Sequence, residues 1–224
     1  MYQYRQPRPL AGAVPTNALL GQVLGITGAG FLITAVTGFL TQGFPYGASL
    51  VATLVGFGFL IAISATRANP GLSMLMFYAF TGCEGIGLGP LIGNYVRLDG
   101  SAVVVNAAAT TGMGMLALGA LAFLTSFDYR RLSGVAFGAL VALLLVGIVS
   151  AFTHFIAPQA YSWLTLAVFT LLVLVDFARI RASGAGATAI ELATSIYLDA
   201  INIFVALLSL FGGAAGMTEA LAGE

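Results

Sequence analysis

Two stretches near the C-terminal end decide the fold: LLVLVDFARIR (171–181) and ATSIYLDAINIFVALLSLF (193–211). Each is an apolar run of membrane-spanning character broken by one acid, Asp176 in the first and Asp199 in the second. A carboxylate in hydrocarbon costs roughly 2.5–3.5 kcal/mol on insertion scales. It persists where it faces a protein interior or water, and there it commonly marks an ion or proton path. The midpoint between the two aspartates falls in the small-residue stretch 183–188, Ser-Gly-Ala-Gly-Ala-Thr. Read as the turn of an antiparallel helix pair, that stretch sets both carboxylates at similar depth on adjacent helices. They are then candidates to share a proton or a cation.

The rest of the chain agrees. Only 7% of the 224 residues are charged, against about 25% in soluble domains, 59% are hydrophobic, and there is no lysine. These values describe a polytopic membrane protein with the lipid bilayer as its first partner. The net charge of zero comes with no basic patch for nucleic acid. The single cysteine, Cys83, excludes an internal disulfide and a cysteine metal cluster, and reads as a small packing residue. Residues 1–18 are polar and proline-rich and are expected to be a disordered lead. The apolar run that follows is too long for a signal-peptide core.

A spanning helix needs about 20 mostly apolar residues. Seven segments qualify, at 19–40, 46–66, 71–94, 101–125, 132–155, 159–181 and 188–211, leaving 213–224 as a short tail. The seventh carries Glu191, Asp199 and Asn202 in its first half, so it is either a full span or a re-entrant element. With the N-terminus cytoplasmic, Arg5, Arg8, Arg67, Arg130, Arg131, Arg179 and Arg181 lie inside and only Arg97 outside. This bias supports seven spans with the C-terminus outside. Glycine pairs at four-residue spacing, Gly21/Gly25, Gly85/Gly89 and Gly134/Gly138, suit close helix packing within the chain or, alternatively, a dimer interface. Pro90 is expected to kink the third span.

Other polar groups are candidates to meet the aspartates. Arg67 closes the second span on the side of the 182–187 turn, as a partner for the carboxylates or as a headgroup anchor. Glu84, among four glycines and Pro90, suggests a locally irregular helix lining a cavity, or a neutral structural glutamate. Asn202 and Ser195, three residues after and four before Asp199, lie on nearly its helical face and extend it into a polar stripe. Arg179, at i+3 from Asp176, offers that aspartate a local partner but is expected to face the headgroups, and His154 to sit at the outer boundary.

The strings Val173-Leu-Val-Asp-Phe-Ala-Arg-Ile180, Ser195-Ile-Tyr-Leu-Asp-Ala-Ile-Asn-Ile-Phe204 and Leu207-Leu-Ser-Leu-Phe-Gly212 resemble the closing signature of the Bax inhibitor family. Gly85-Ile-Gly-Leu-Gly-Pro90 is similar to that family's glycine-rich third span. The resemblance covers the chain beyond residue 18. It implies an all-α bundle of seven transmembrane helices with the seventh central and surrounded by the other six. It also implies a pH-sensitive calcium leak gated by an aspartate pair, carried here by Asp176 and Asp199. The family's latch arginine falls on Arg67. The chain departs from the pattern in Phe177-Ala-Arg179, where many relatives are more polar, and in lacking a basic C-terminal tail.

Two coupled carboxylates lose their protons in two steps. The singly charged pair can be held closed by Arg67. The doubly charged pair repels and leaves hard oxygen ligands suited to Ca²⁺. The resulting expectation is a monomeric, non-enzymatic, pH-sensitive Ca²⁺ leak without a cofactor, in a bacterial plasma membrane. A different class is a regulator that binds another membrane protein, such as a membrane protease, and has no flux. An intramembrane aspartyl protease also needs two aspartates, but such enzymes carry Gly-x-Gly-Asp, and neither aspartate here follows that string. A retinal photoreceptor would need a lysine.

Overall fold

The computed structural model describes residues 15–125, 128–182 and 186–222, with side chains described as far as 212. The described residues form seven helices: α1 (Thr16–Leu40), α2 (Tyr46–Ala65), α3 (Pro70–Asp99), α4 (Ser101–Leu124), α5 (Tyr129–Thr153), α6 (Pro158–Arg181) and α7 (Ala189–Ala222). All seven are long and apolar enough to cross a membrane. The seventh is one continuous helix with a span over Ala189–Gly212, so the full-span reading holds and the re-entrant one does not. Helical backbone also continues through the expected tail as far as Ala222. Residues 1–14 of the expected lead, and 183–185 of the expected turn, lie outside the described residues.

Local chemistry sets the helix ends. Pro70 opens α3, where its fixed φ suits a first turn, and the Asn69 side chain accepts from the Leu72 N–H at 3.2 Å. The expected break at 97–100 shrinks to Gly100 alone, whose φ of +80° turns the chain directly into α4. Only glycine takes that conformation without strain. Asp128 caps α5, accepting from the Arg130 N–H at 3.0 Å, and exposed His154 ends it. A reciprocal capping box starts α7. The Thr188 hydroxyl accepts from the Glu191 N–H at 3.1 Å, and the Glu191 carboxylate accepts from the Thr188 N–H at 2.8 Å.

Burial is graded towards α7. Half of its span is buried, against 11% for α5. The seventh helix packs against α6, α4, α1 and α3, while α5 rests on α6. The helix is therefore central, but fewer than six neighbours make substantial contact with it. Side chains such as Leu32, Phe39, Leu116, Leu124 and Phe152 point outward as a lipid-facing belt. Helices α1 and α4 do not close on each other, leaving an apolar groove of about 1060 Å³ faced by Phe31, Ile92 and Met115.

Helix α3 is continuous from Pro70 through Pro90 to Asp99, so the chain is helical around Glu84, where an irregular segment was expected. The glycines there act on packing. A Cβ on Gly85 would stand 2.6 Å from the Thr34 carbonyl oxygen, and one on Gly93 would stand 2.7 Å from that of Gln42. They let α1 and α3 approach closely, as the spacing of Gly85 and Gly89 suggested. The other two glycine pairs, Gly21/Gly25 and Gly134/Gly138, have open space beside them and hold no helix within this chain.

Candidate functional site

Helices α6 and α7 are antiparallel neighbours, and their sequence places Asp176 and Asp199 in the seam between them. Asp176 lies five residues before the end of α6, and Asp199 ten residues into α7. At 1.5 Å per residue the two backbones are about 8 and 15 Å from the turn, a stagger where similar depth was expected. Helical side chains lean towards the helix N-terminus. On α6 that direction leads away from the turn, and on α7 it leads towards it. The two carboxyls therefore converge and interact directly. Both residues are buried, at 4% and 5% exposure.

The second layer of the site is small. Ser195, one turn before Asp199, interacts with Asp176, so the polar stripe read from α7 does reach the pair. Arg179 donates to Asp176 Oδ1 at 3.4 Å. This favours the local-partner reading of Arg179 over the expected headgroup one. Its i+3 position on an antiparallel pair directs the guanidinium along the seam, and its side chain is only one-third exposed. Oδ2 of Asp176 and Oδ2 of Asp199 are both buried with no hydrogen-bond partner among the described residues. Fully satisfied buried polar groups are the rule, so these two oxygens are candidates to share a proton or to take a water or a cation. Among the described residues there is no group of three or more metal-ligating side chains.

Arg67 lies elsewhere. It occupies the turn after α2, is 61% exposed, and places Nε 4.0 Å from Glu191 Oε1. The structure thus joins Arg67 to the capping box of α7 and not to the aspartates. Glu84 faces α2, near Gly56, and acts electrostatically on Tyr197. Asn202 sits farther along the seam and donates to the Leu198 carbonyl at 2.8 Å.

One residue escaped the reading of the sequence although it stands inside the Tyr-Leu-Asp string. Tyr197 is fully buried and ringed by Phe31, Phe77 and Phe80, with ring centroids 5.3, 5.7 and 5.6 Å away. Its hydroxyl lies 2.6 Å from Thr34 Oγ1, which is itself bonded to the Thr81 carbonyl at 2.9 Å. The threonine proton is spent on a carbonyl, so Tyr197 donates. The chain Tyr197–Thr34–Thr81 ties α7, α1 and α3 together, two residues before Asp199 on α7.

The sequence model of the family described as "Inhibitor of apoptosis-promoting Bax1" matches residues 16–216. A protein of Pasteurella multocida is 34% identical over 161 residues, 70% of this chain and 69% of its own length. A membrane protein of Vibrio cholerae is 26% identical over 207 residues, covering 91% and 92% respectively. The "Modulator of FtsH protease YccA" of Escherichia coli is 27% identical over 169 residues, covering 73% and 74%. The match spans all seven helices and both aspartates, and the chain belongs to the Bax inhibitor family of membrane proteins.

Proposed function

We propose that the protein is a cation leak, with calcium as its expected cargo, whose opening is set by the protonation of Asp176 and Asp199. The observation that carries this reading is the convergence of two buried carboxyls from adjacent spans, each with an unpartnered oxygen. With one proton shared, the pair bears a single negative charge, which Arg179 balances. Removing the second proton puts two like charges side by side in a low-dielectric seam, and the cheapest relief is to part the helices or admit a cation. Rising pH therefore favours opening, and acid favours the closed pair. The charged groups facing the pair are Arg179, from α6 itself, and the partner aspartate. Arg67 enters at one remove, through Glu191 and the N-terminus of α7.

Two carboxylates and the Ser195 hydroxyl offer fewer than the six to eight oxygens that Ca²⁺ prefers. Water must complete the shell. Such a site holds an ion in transit and not a resident one. The proposed setting is a bacterial inner membrane, with the N-terminus cytoplasmic and the C-terminus outside, as the arginine bias supports. Ca²⁺ flux into proteoliposomes, measured across pH for wild type, Asp176→Asn and Asp199→Asn, tests the reading. Both variants are expected to lose the pH dependence, and unchanged dependence in both removes the pair from the mechanism.

A second reading rests on the name of the E. coli relative, a modulator of a membrane protease. In that reading the protein acts on another membrane protein and passes no ion. Absent flux together with a stoichiometric membrane partner on purification would favour it.

A further inference from the structure

Beyond the aspartates, the α6–α7 seam continues towards the opposite end of the bundle and opens into a cavity of about 320 Å³ against α5. It has room for on the order of ten waters at roughly 30 Å³ each. Its polar lining comes from Tyr161, Ser162 and Thr165 on α6 and from Asn202 and Ser209 on α7. The spacing shows how these positions line up. On α7, residues 195, 199, 202, 206 and 209 follow one another at steps of four, three, four and three, one face of a helix. That face reads Ser, Asp, Asn, Ala, Ser. On α6 the matching face runs Ser162, Thr165, Phe169, Val173, Asp176. The seam is thus polar at the cavity and polar at the aspartates, with an apolar collar of Phe169 and Val173 between them on α6. Along α7, Asn202 stands about 4.5 Å beyond Asp199.

The lining has a sign. Thr165 donates to the Tyr161 carbonyl at 2.9 Å, Tyr161 to the Leu143 carbonyl at 3.4 Å, and Ser162 to the Pro158 carbonyl at 3.0 Å, which leaves the Ser209 hydroxyl, 3.0 Å away, to donate to the Ser162 oxygen. The Asn202 amide nitrogen is used on Leu198, while its oxygen has no protein partner among the described residues. With these donors engaged on the protein, what the polar groups of the lining offer is mainly oxygen lone pairs, set among the apolar side chains of Leu143, Leu144, Phe169 and Val205. Oxygens of this kind suit hard cations and the water around them. Among the described residues the lining carries no charged side chain, which leaves an ion free to keep that water and to leave again.

We infer that this cavity is a water-filled vestibule for hydrated cations, open at the α5–α6 end and closed from the aspartates by Phe169 and Val173. Its role as the mouth of the leak rests on the proposed function, but its wetness does not. The test places a single cysteine at the mouth, Ser209→Cys, in a Cys83→Ala background. Leu116→Cys, on the lipid-facing surface, is the control. Each variant is treated in sealed proteoliposomes with a membrane-impermeant cationic thiol reagent. Labelling is read by mass, and Ca²⁺ flux is measured in parallel.

Ser209→Cys is expected to label on the order of tenfold faster than Leu116→Cys, because a thiol reacts as its thiolate, which water favours and hydrocarbon suppresses. The fixed positive charge is expected to block flux, and Ser209→Leu is expected to reduce it without labelling. Labelling no faster than the lipid-facing control overturns the vestibule, even in a protein that leaks. Flux indifferent both to the attached charge and to Ser209→Leu overturns its role as the mouth. Fast labelling in a protein with no flux upholds the vestibule and defeats the leak reading instead.

Discussion

Replacing Arg179 by glutamine keeps most of the side chain's length and removes the cation bonded to Asp176. The N–O separation is 3.4 Å. Two unit charges at that distance attract by about 5 kcal/mol at an effective dielectric of 20 and about 1 kcal/mol in bulk water. Because the Arg179 side chain is 33% exposed, water screens the pair, and the lower part of that range, about 1–2 kcal/mol, is the working figure. The sign follows from which state the cation favours. Arg179 stabilises the ionised pair, so its loss makes each proton harder to remove. At 1.36 kcal/mol per pH unit, the midpoint of the flux–pH curve for Arg179→Gln is expected to move up by about one unit. The assay is Ca²⁺ flux in proteoliposomes at stepped pH, with Arg130→Gln, at a fully exposed position, as the control that leaves the curve in place. An unmoved midpoint, or one displaced towards acid, would refute the assignment of Arg179 as the charge that balances the pair.

Three further outcomes separate packing from gating. Thr34→Val leaves the fully buried Tyr197 hydroxyl without an acceptor and is expected to destabilise by about 1–3 kcal/mol. Tyr197→Phe, which leaves Thr34 still bonded to the Thr81 carbonyl, costs about 1 kcal/mol, so thermal unfolding in detergent should rank them in that order. Gly85→Ala forces a methyl against the Thr34 backbone and is expected to cost about 1–3 kcal/mol, whereas Gly21→Ala, with open space beside it, is neutral or slightly stabilising in the same assay. Arg67→Ala breaks a long pair at 4.0 Å whose arginine is well exposed, of a kind worth about 1 kcal/mol. Its flux–pH curve should therefore shift less than that of Arg179→Gln.

The features legible in the sequence are those that bilayer physics imposes one segment at a time. Seven apolar runs of spanning length became seven helices because every backbone polar group must be satisfied within lipid. The aspartate pair was legible for the same reason, since two costly charges flanking a turn have few other places to go. Arg67 was misplaced because a side chain at a loop is positioned by the loop, and here that loop presents it to Glu191 at the start of α7. Arg179 was legible as a local partner of Asp176, but the headgroup reading was preferred because helix-end arginines usually snorkel, whereas its rotation about α6 turns it into the seam. Tyr197 reads as one more aromatic in an apolar run. Its role depends on Thr34, 163 residues away in the chain, and no local pattern carries that information. Gly85 and Gly21 share the same four-residue spacing with a neighbouring glycine, yet only Gly85 faces another helix.

The central claim is that one proton on the Asp176–Asp199 pair holds the pathway shut. The most direct test follows the infrared C=O stretch of protonated carboxyls and the Ca²⁺ flux of the same proteoliposomes through one pH titration. The account predicts that one carboxyl signal disappears at the pH where flux rises, and that Asp199→Asn abolishes both transitions. Flux that rises while the carboxyl signal stays constant, or a signal that titrates in Asp199→Asn as in wild type, would contradict it.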